Sequence, residues 1–505
     1  MIRTRLLEVV RTAFALFPIL IPFTAAAGVH GDSPSSMPTP SSCVWQGKIM
    51  VSGTVLDFVV RFGGDEESPT GTIDIPAQGA KGLPLREITL GPERMKFTLA
   101  VGSTTAEFDL DVDPDGKSAE GTMTQFGQKF IVTAERITES EAREVGPRRP
   151  QTPKPPFPYE AEEVTFKNSK DGITLAGTLT RPTGQGPFPA VVLISGSGAQ
   201  DRDETLLGHK PFLVLADHLT REGIAVLRFD DRGVGGSTAP LDVLRRSTTA
   251  DLANDARAAL NFLRTRKDIN PKHIGLIGHS EGGVIAPMIA AEDRDVAAVI
   301  MLAGSGVPGR KVLSGQLERI ARVSGVYRHN VDRQLEAQSR FFDALLNDSS
   351  EEKLRETLRE LVKIQYEPAG KPMDGKELDA AVELAMKSSA SPWMRYFIAH
   401  DPREALRRVK CPVLAINGTL DLQVLCDDNL PGIEKALHDA GNKDVTILRL
   451  EGLNHLFQHS GTGLPTEYSF IEETFAPEAL SAVSQWLNKR FAPADGPGKT
   501  PEARK

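Results

Sequence analysis

Ile274-Gly275-Leu276-Ile277-Gly278-His279-Ser280-Glu281-Gly282-Gly283 is the stretch whose reading decides the fold. Its apolar start predicts a buried strand, and the Gly-x-Ser-x-Gly pattern that ends it predicts an abrupt turn into a helix. A turn that tight strains the serine backbone and leaves no room for a bulky Cβ at the flanking glycine positions. Ser280 is therefore the candidate nucleophile. Taken alone, the five residues also fit a Gly-rich turn that packs a helix on a strand, so the rest of the chain has to supply chemical partners.

A serine hydroxyl reacts only when a base takes its proton, and the base needs a third group to orient it. Two downstream apolar runs predict buried strands. Cys411-Pro412-Val413-Leu414-Ala415-Ile416 leads into Asn417-Gly418-Thr419-Leu420-Asp421, and Val445-Thr446-Ile447-Leu448-Arg449-Leu450 leads into Glu451-Gly452-Leu453-Asn454-His455. Both end where open parallel sheets place their sites, at the carboxyl ends of strands. Asp421 is thus the candidate acid and His455 the candidate base. Asp427 and Asp428 are rival acids, and His459 is a rival base. An oxyanion further requires backbone N–H donors, one from the residue after the nucleophile and one from an upstream strand-to-helix loop. Ala190-Val191-Val192-Leu193-Ile194 runs directly into Ser195-Gly196-Ser197-Gly198, so the expected donors are the amides of Glu281 and Ser197, with Gly198 as the fallback.

These residues resemble a family, the bacterial α/β-hydrolases of the EstD-type esterase and serine-aminopeptidase-like kind. The resemblance rests on Ser195 to Asp203, on Asp230-Asp231-Arg232-Gly233-Val234-Gly235, on the Ser280 run and on the Asp421 and His455 segments, and covers roughly residues 160 to 490. It implies carboxylic ester hydrolysis through an acyl-enzyme, on small or short-chain esters, without metal or organic cofactor. Cleavage of peptides by the same three residues is the alternative, and a noncatalytic binding protein on the same scaffold is a more distant one. Where many lipases carry His-Gly at the first oxyanion motif, this chain carries Ser195.

Other features place limits. Asp201-Arg202-Asp203-Glu204 is expected to be a solvated loop or helix start and Asp230-Asp231-Arg232-Gly233 to brace the loops around the site, both being scaffolding and not catalytic groups. Glu281 is expected to be a first-turn helix charge favoured by the dipole. The chain lacks zinc spacing, a phosphate-cradling Gly-Lys-Ser/Thr loop and a dinucleotide pattern. A net charge of −8 argues against nonspecific nucleic-acid binding. Arg3, Arg5 and Arg11, the apolar stretch from Thr12 to Thr24 and Ala25-Ala26-Ala27 predict an export leader over residues 1–27 and a periplasmic or extracellular mature chain. Cys411 and Cys426 flank a strand and are predicted too far apart to pair, so no structural disulfide is expected.

The fold class that follows is α/β: a mostly parallel hydrolase sheet with a helical cap, preceded by an antiparallel β domain. At 505 residues, two or three domains are expected. Short alternating runs such as Asp57 to Phe62, Lys96 to Val101 and Lys129 to Val132 predict a small sandwich or barrel over residues 43–137. A linker follows over 138–160, with prolines densest from Pro147 to Pro158 and an extended, semi-rigid geometry. The hydrolase domain is expected over 161–492, opening with an antiparallel hairpin around Asp171-Gly172, and a flexible tail over 493–505. Pro287 is expected to bend the helix after Ser280. The long interval before Val413 predicts a cap over about 306–400, built from helices at Leu317–Val323, Val331–Leu346, Glu351–Gln365 and Lys376–Lys387. Trp393, Met394, Tyr396 and Phe397 are expected chiefly to dock that cap, with pocket lining as the other reading.

Overall fold

The computed structural model describes residues 43–491 apart from 52–53, 66–67, 77–79, 102–103, 126–127 and 367–374; the expected leader and the tail over 493–505 lie outside the described residues. Strands β1 (Cys43–Val51) to β8 (Gln128–Ile137) form a closed antiparallel barrel, with β2 at Thr54–Gly64, β3 at Pro69–Ile75, β4 at Ala80–Leu90, β5 at Arg94–Val101, β6 at Thr104–Val112 and β7 at Ser118–Gln125. Pairing of Val44 with Ile137 closes it, so neither terminal strand is left as an open edge. Alternation places Phe58, Phe62, Phe97 and Phe108 in a filled interior, where Phe97 stacks on Phe108 at 4.5 Å. Gly47 has to be glycine there: a Cβ would come within 1.9 Å of the Phe58 ring.

The second unit is an eight-stranded sheet in the order β16-β15-β14-β13-β11-β12-β10-β9. The hairpin of β9 (Glu160–Asn168) and β10 (Ile173–Arg181) opens it antiparallel, and β10 also runs antiparallel to β12 (Ala225–Phe229). From there β11 (Phe188–Ile194), β13 (Ile269–His279), β14 (Ala298–Leu302), β15 (Val413–Gly418) and β16 (Val445–Leu450) are parallel. The near-continuous apolar runs arise because helices cover both faces. Ala190, Val192 and Ile194 face the helices Thr249–Thr265, Gly282–Glu292 and Cys426–Asp439, whereas Val191 and Leu193 face Pro211–Arg221 and Pro477–Phe491. The helix after Ser280 runs through Pro287 without interruption.

Among the described residues, five of the helices between β14 and β15 form the cap, at Gly309–Val323, Arg328–Leu346, Glu351–Tyr366, Gly375–Ser389 and Pro392–Ala399, around a core that includes Phe341, Phe342, Leu358 and Leu361. The first starts eight residues earlier than Leu317, because Gly309, Ser314 and Gly315 are poor helix formers that only tertiary packing overrides. The fifth lies beyond the four expected helices, although Ser391 caps it by accepting from Met394 N at 3.1 Å and Pro392 takes its first turn. Part of the expected semi-rigid linker is anchored by side-chain bonds. Arg149 donates to the carbonyls of Leu207, Ser469 and Ile471, and Gln151 bonds the main chain of Thr474 and Phe475, so this segment is docked on the hydrolase unit.

Candidate active site

Ser280 sits at the end of β13 with φ of +53°, a left-handed conformation that a non-glycine residue adopts at a cost. Its N–H bonds the Leu302 carbonyl at 2.8 Å, and its neighbours show why glycine is required. A Cβ on Gly278 would lie 1.9 Å from the Gly282 carbonyl oxygen, one on Gly282 would lie 2.1 Å from the Ile194 oxygen, and one on Gly283 would lie 2.7 Å from the Gly304 Cα. Elbow, β11 and the turn after β14 therefore pack backbone on backbone.

Asp421 and His455 meet across the ends of β15 and β16. His455 Nδ1 lies 2.8 Å from Asp421 Oδ2, and both residues are buried. The other carboxylate oxygen accepts from Gln423 N at 2.8 Å and Val424 N at 2.9 Å, which holds the acid still. The two loops are stitched together: Leu420 N bonds the Leu453 carbonyl at 3.0 Å, and a Cβ on Gly418 would lie 2.1 Å from that oxygen. His455 is brought to the elbow through its neighbour, since its ring lies 4.8 Å from that of His279 and its carbonyl oxygen lies 3.0 Å from His279 Nε2. Among the described hydrogen bonds none joins Ser280 Oγ to the His455 ring; such bonds often tighten only with substrate in place.

The rivals are committed elsewhere. Asp427 pairs with Arg449, Asp428 with Lys311, and His459 with Glu473 and Glu478 on the exposed side of the loop. In the first oxyanion motif, Gly196 N is taken by Glu204 Oε1 at 2.7 Å, whereas the amides of Ser197 and Glu281 have no acceptor among the described hydrogen bonds. Gly198, the fallback, is exposed at φ of +106°.

Two expectations are refined. Glu281, expected to be a first-turn charge, stands at the N-cap of the helix Gly282–Glu292 and turns its carboxyl toward other elements. It is buried, and its Oε1 accepts from Thr249 Oγ1 at 2.6 Å and from the Trp393 indole at 2.7 Å, so it fastens the cap to the elbow. Burial raises its pKa, opposed by hydrogen bonds from Thr249, Trp393 and the nearby Ser197 hydroxyl. Trp393 thus has a polar task that its place in an aromatic cluster hid, although it also packs against the cap core as expected. The Asp201–Glu204 segment, expected to be a solvated loop or helix start, is drawn inward and braces the site, in line with its reading as scaffolding. Arg202 binds Asp230 through Nε at 3.0 Å and Nη2 at 2.8 Å, and Glu204 is buried against the elbow with φ of +52°. The residues from Asp230 brace as expected: Asp231 accepts from Ser195 Oγ at 2.8 Å and Gln200 N at 2.9 Å, and burial pushes its carboxyl up to about 8. Arg232 bonds Asp255 at 2.7 Å and Asp171 at 2.9 Å.

The strand order, with a strained serine at the end of its central strand and an Asp–His pair over the neighbouring ends, defines an α/β-hydrolase. Within that class the chain belongs to the family described as X-Pro dipeptidyl-peptidase (S15 family), whose model matches residues 171–443. It is also similar to esterase EstD of Thermotoga maritima, 28% identical over 338 residues that span 66% of this chain and 69% of that protein. The uncharacterized protein YfhR of Escherichia coli K12 is 33% identical over 150 residues, 29% of this chain and 48% of its own, so the chain spans about half of that relative's length. Among solved structures, the α/β hydrolase GrgF from a Penicillium species is 18% identical with a TM-score of 0.41, covering 66% of this chain and 99% of that one.

The cap fastening can be tested directly. Trp393→Phe and Thr249→Val each remove one donor from a buried carboxyl, and each should destabilise the protein by about 1–3 kcal/mol. Urea unfolding beside the wild type checks this, and unchanged midpoints in both variants would show that the clamp contributes nothing.

Proposed function

We propose that the protein hydrolyses carboxylic esters through an acyl-enzyme on Ser280. The observation that carries this reading is the buried Asp421–His455 pair, held at 2.8 Å beside a strained serine turn. His455 Nε2 takes the proton as Ser280 Oγ attacks the acyl carbon, and the imidazolium so formed is stabilised by Asp421 through Nδ1–H. The amides of Glu281 and Ser197 then bind the oxyanion. Collapse breaks the bond to the alkoxy group, which leaves as the alcohol with the proton from His455. Water enters by the same route in reverse, giving the acid and restoring the serine.

The family is described as one of peptidases, so amide cleavage is the second reading. Ester hydrolysis is favoured by the similarity to a protein named an esterase and by the state of the carboxyl groups near the serine. A free peptide amino terminus needs carboxylates open to it. Asp421, Glu204, Glu281 and Asp231 are each bonded to protein donors. We also propose short acyl substrates, because the cap sequence has no long continuous apolar groove, and export under the leader over residues 1–27.

A p-nitrophenyl ester chain-length series should give the highest kcat/KM with acetyl or butyryl groups, well above that for dipeptidyl p-nitroanilides. Ser280→Ala should lower kcat by about a thousandfold or more. A preference for long acyl chains would overturn the short-chain proposal, and faster anilide cleavage would move the reading to a peptidase. The mass of the exported chain should correspond to a start near Gly28, and a full-length mass would contradict the leader.

A further inference from the structure

We propose that Glu204 and His279 form a buried carboxylate–imidazolium pair that positions the oxyanion loop and the His455 main chain on either side of Ser280. The kinetic part of this proposal rests on the ester-hydrolase reading; the structural part does not.

The charge on the His279 ring follows from its two hydrogen bonds. His279 is buried, its Nδ1 lies 2.9 Å from Glu204 Oε1, and its Nε2 lies 3.0 Å from the His455 carbonyl oxygen. A carbonyl only accepts, and an ionised carboxylate only accepts. In the proposed ionised pair Glu204 Oε1 accepts both the Gly196 N–H at 2.7 Å and the His279 Nδ1–H, so both ring nitrogens donate, and a ring with two N–H groups is a cation. Burial works against that charge, but the Glu204 carboxylate beside it, with the bond to the His455 carbonyl, raises His279 above its ordinary value. The titratable groups that face the ring are Glu204 from the loop after β11, His455 from the loop after β16 and Asp421 from the loop after β15. Phe457 meets it edge-on at 6.3 Å.

Position gives the pair its task. Glu204 adopts an unfavourable φ of +52° to turn its carboxylate inward, a cost expected only where the surroundings demand that direction. One oxygen then holds Gly196, the residue before the proposed donor amide of Ser197, while the ring next to Ser280 holds the main chain of the proposed base. Nucleophile, oxyanion loop and base are thereby joined through one buried hydrogen-bonded chain. Glu204 and His279 touch no reacting atom and are positioning residues.

A histidine whose folded pKa is raised keeps its contacts at low pH and loses them as pH rises through that raised value. The alkaline limb of kcat should therefore report His279. In Glu204→Gln the carboxylate is gone, and the limb should move down by ~1–2 pH units, with kcat at pH 8 reduced by about tenfold and KM changed far less. In His279→Gln, whose side chain does not titrate, that limb should vanish.

The deciding experiment is 15N NMR of the full chain labelled in histidine, with His279→Gln supplying the assignment. The His279 imidazole should carry two protonated nitrogens at neutral pH and lose one of them in Glu204→Gln, whereas His459, which meets Glu473 and Glu478 through both ring nitrogens, should be unchanged by that substitution. A single N–H on His279 at neutral pH, or a Glu204→Gln variant with the wild-type alkaline limb, overturns the proposal. The NMR result needs no turnover, so a protein inactive on esters would defeat the functional reading while the protonation of His279 still decides whether the pair exists.

Discussion

Everything else in the hydrolase unit is arranged around the turn at Ser280, where backbone meets backbone. Gly278, Gly282 and Gly283 each stand where a Cβ would collide with main-chain atoms, of Gly282, of Ile194 and of Gly304 in turn. These contacts force the helix Gly282–Glu292 against β11 and the turn after β14, and they leave Ser280 at φ of +53° just past the carboxyl end of the central strand β13. Strain of this kind persists only when the surroundings over-determine it. Here they do so through a three-layer core, because alternate residues of β11 lock onto helices on opposite faces.

Close backbone packing also holds the acid and the base. Gly418 lets the Leu453 carbonyl pass within hydrogen-bonding range of Leu420, so the two loops rise together from adjacent parallel strands. Farther out, Arg149 and Gln151 reach from the segment after the barrel to the main chain at 469–475, beyond the His455 loop. The cap is tied down at Glu281, whose backbone belongs to the elbow and whose carboxyl belongs to Trp393. A single residue thus couples the roof of the site to the proposed oxyanion amide.

Much of this is legible in the sequence, and the remainder is hidden for physical reasons. Ser280, Asp421 and His455 stand out because each follows a buried-strand pattern, and a sheet with parallel strands brings such ends together. The hairpin around Asp171-Gly172 is legible from local alternation. Glu204 and Glu281 look like surface charges because charged residues are rarely buried, and their partners lie far off in sequence: His279 is 75 residues from Glu204, and Trp393 is 112 from Glu281. Closure of the barrel by β1 on β8 is likewise a nonlocal pairing that no short window contains. The cap's first helix is longer than its sequence pattern suggests because glycine and serine at its start conceal a helix that packing enforces.

The central claim is that the strained turn makes the Ser280 hydroxyl reactive in company with Asp421 and His455. Its most direct test is labelling with a fluorophosphonate followed by peptide mapping. The account predicts one adduct per chain on Ser280, with His455→Ala slowing its formation by orders of magnitude. A catalytically active preparation that never labels at Ser280, or that labels equally fast without His455, would contradict it.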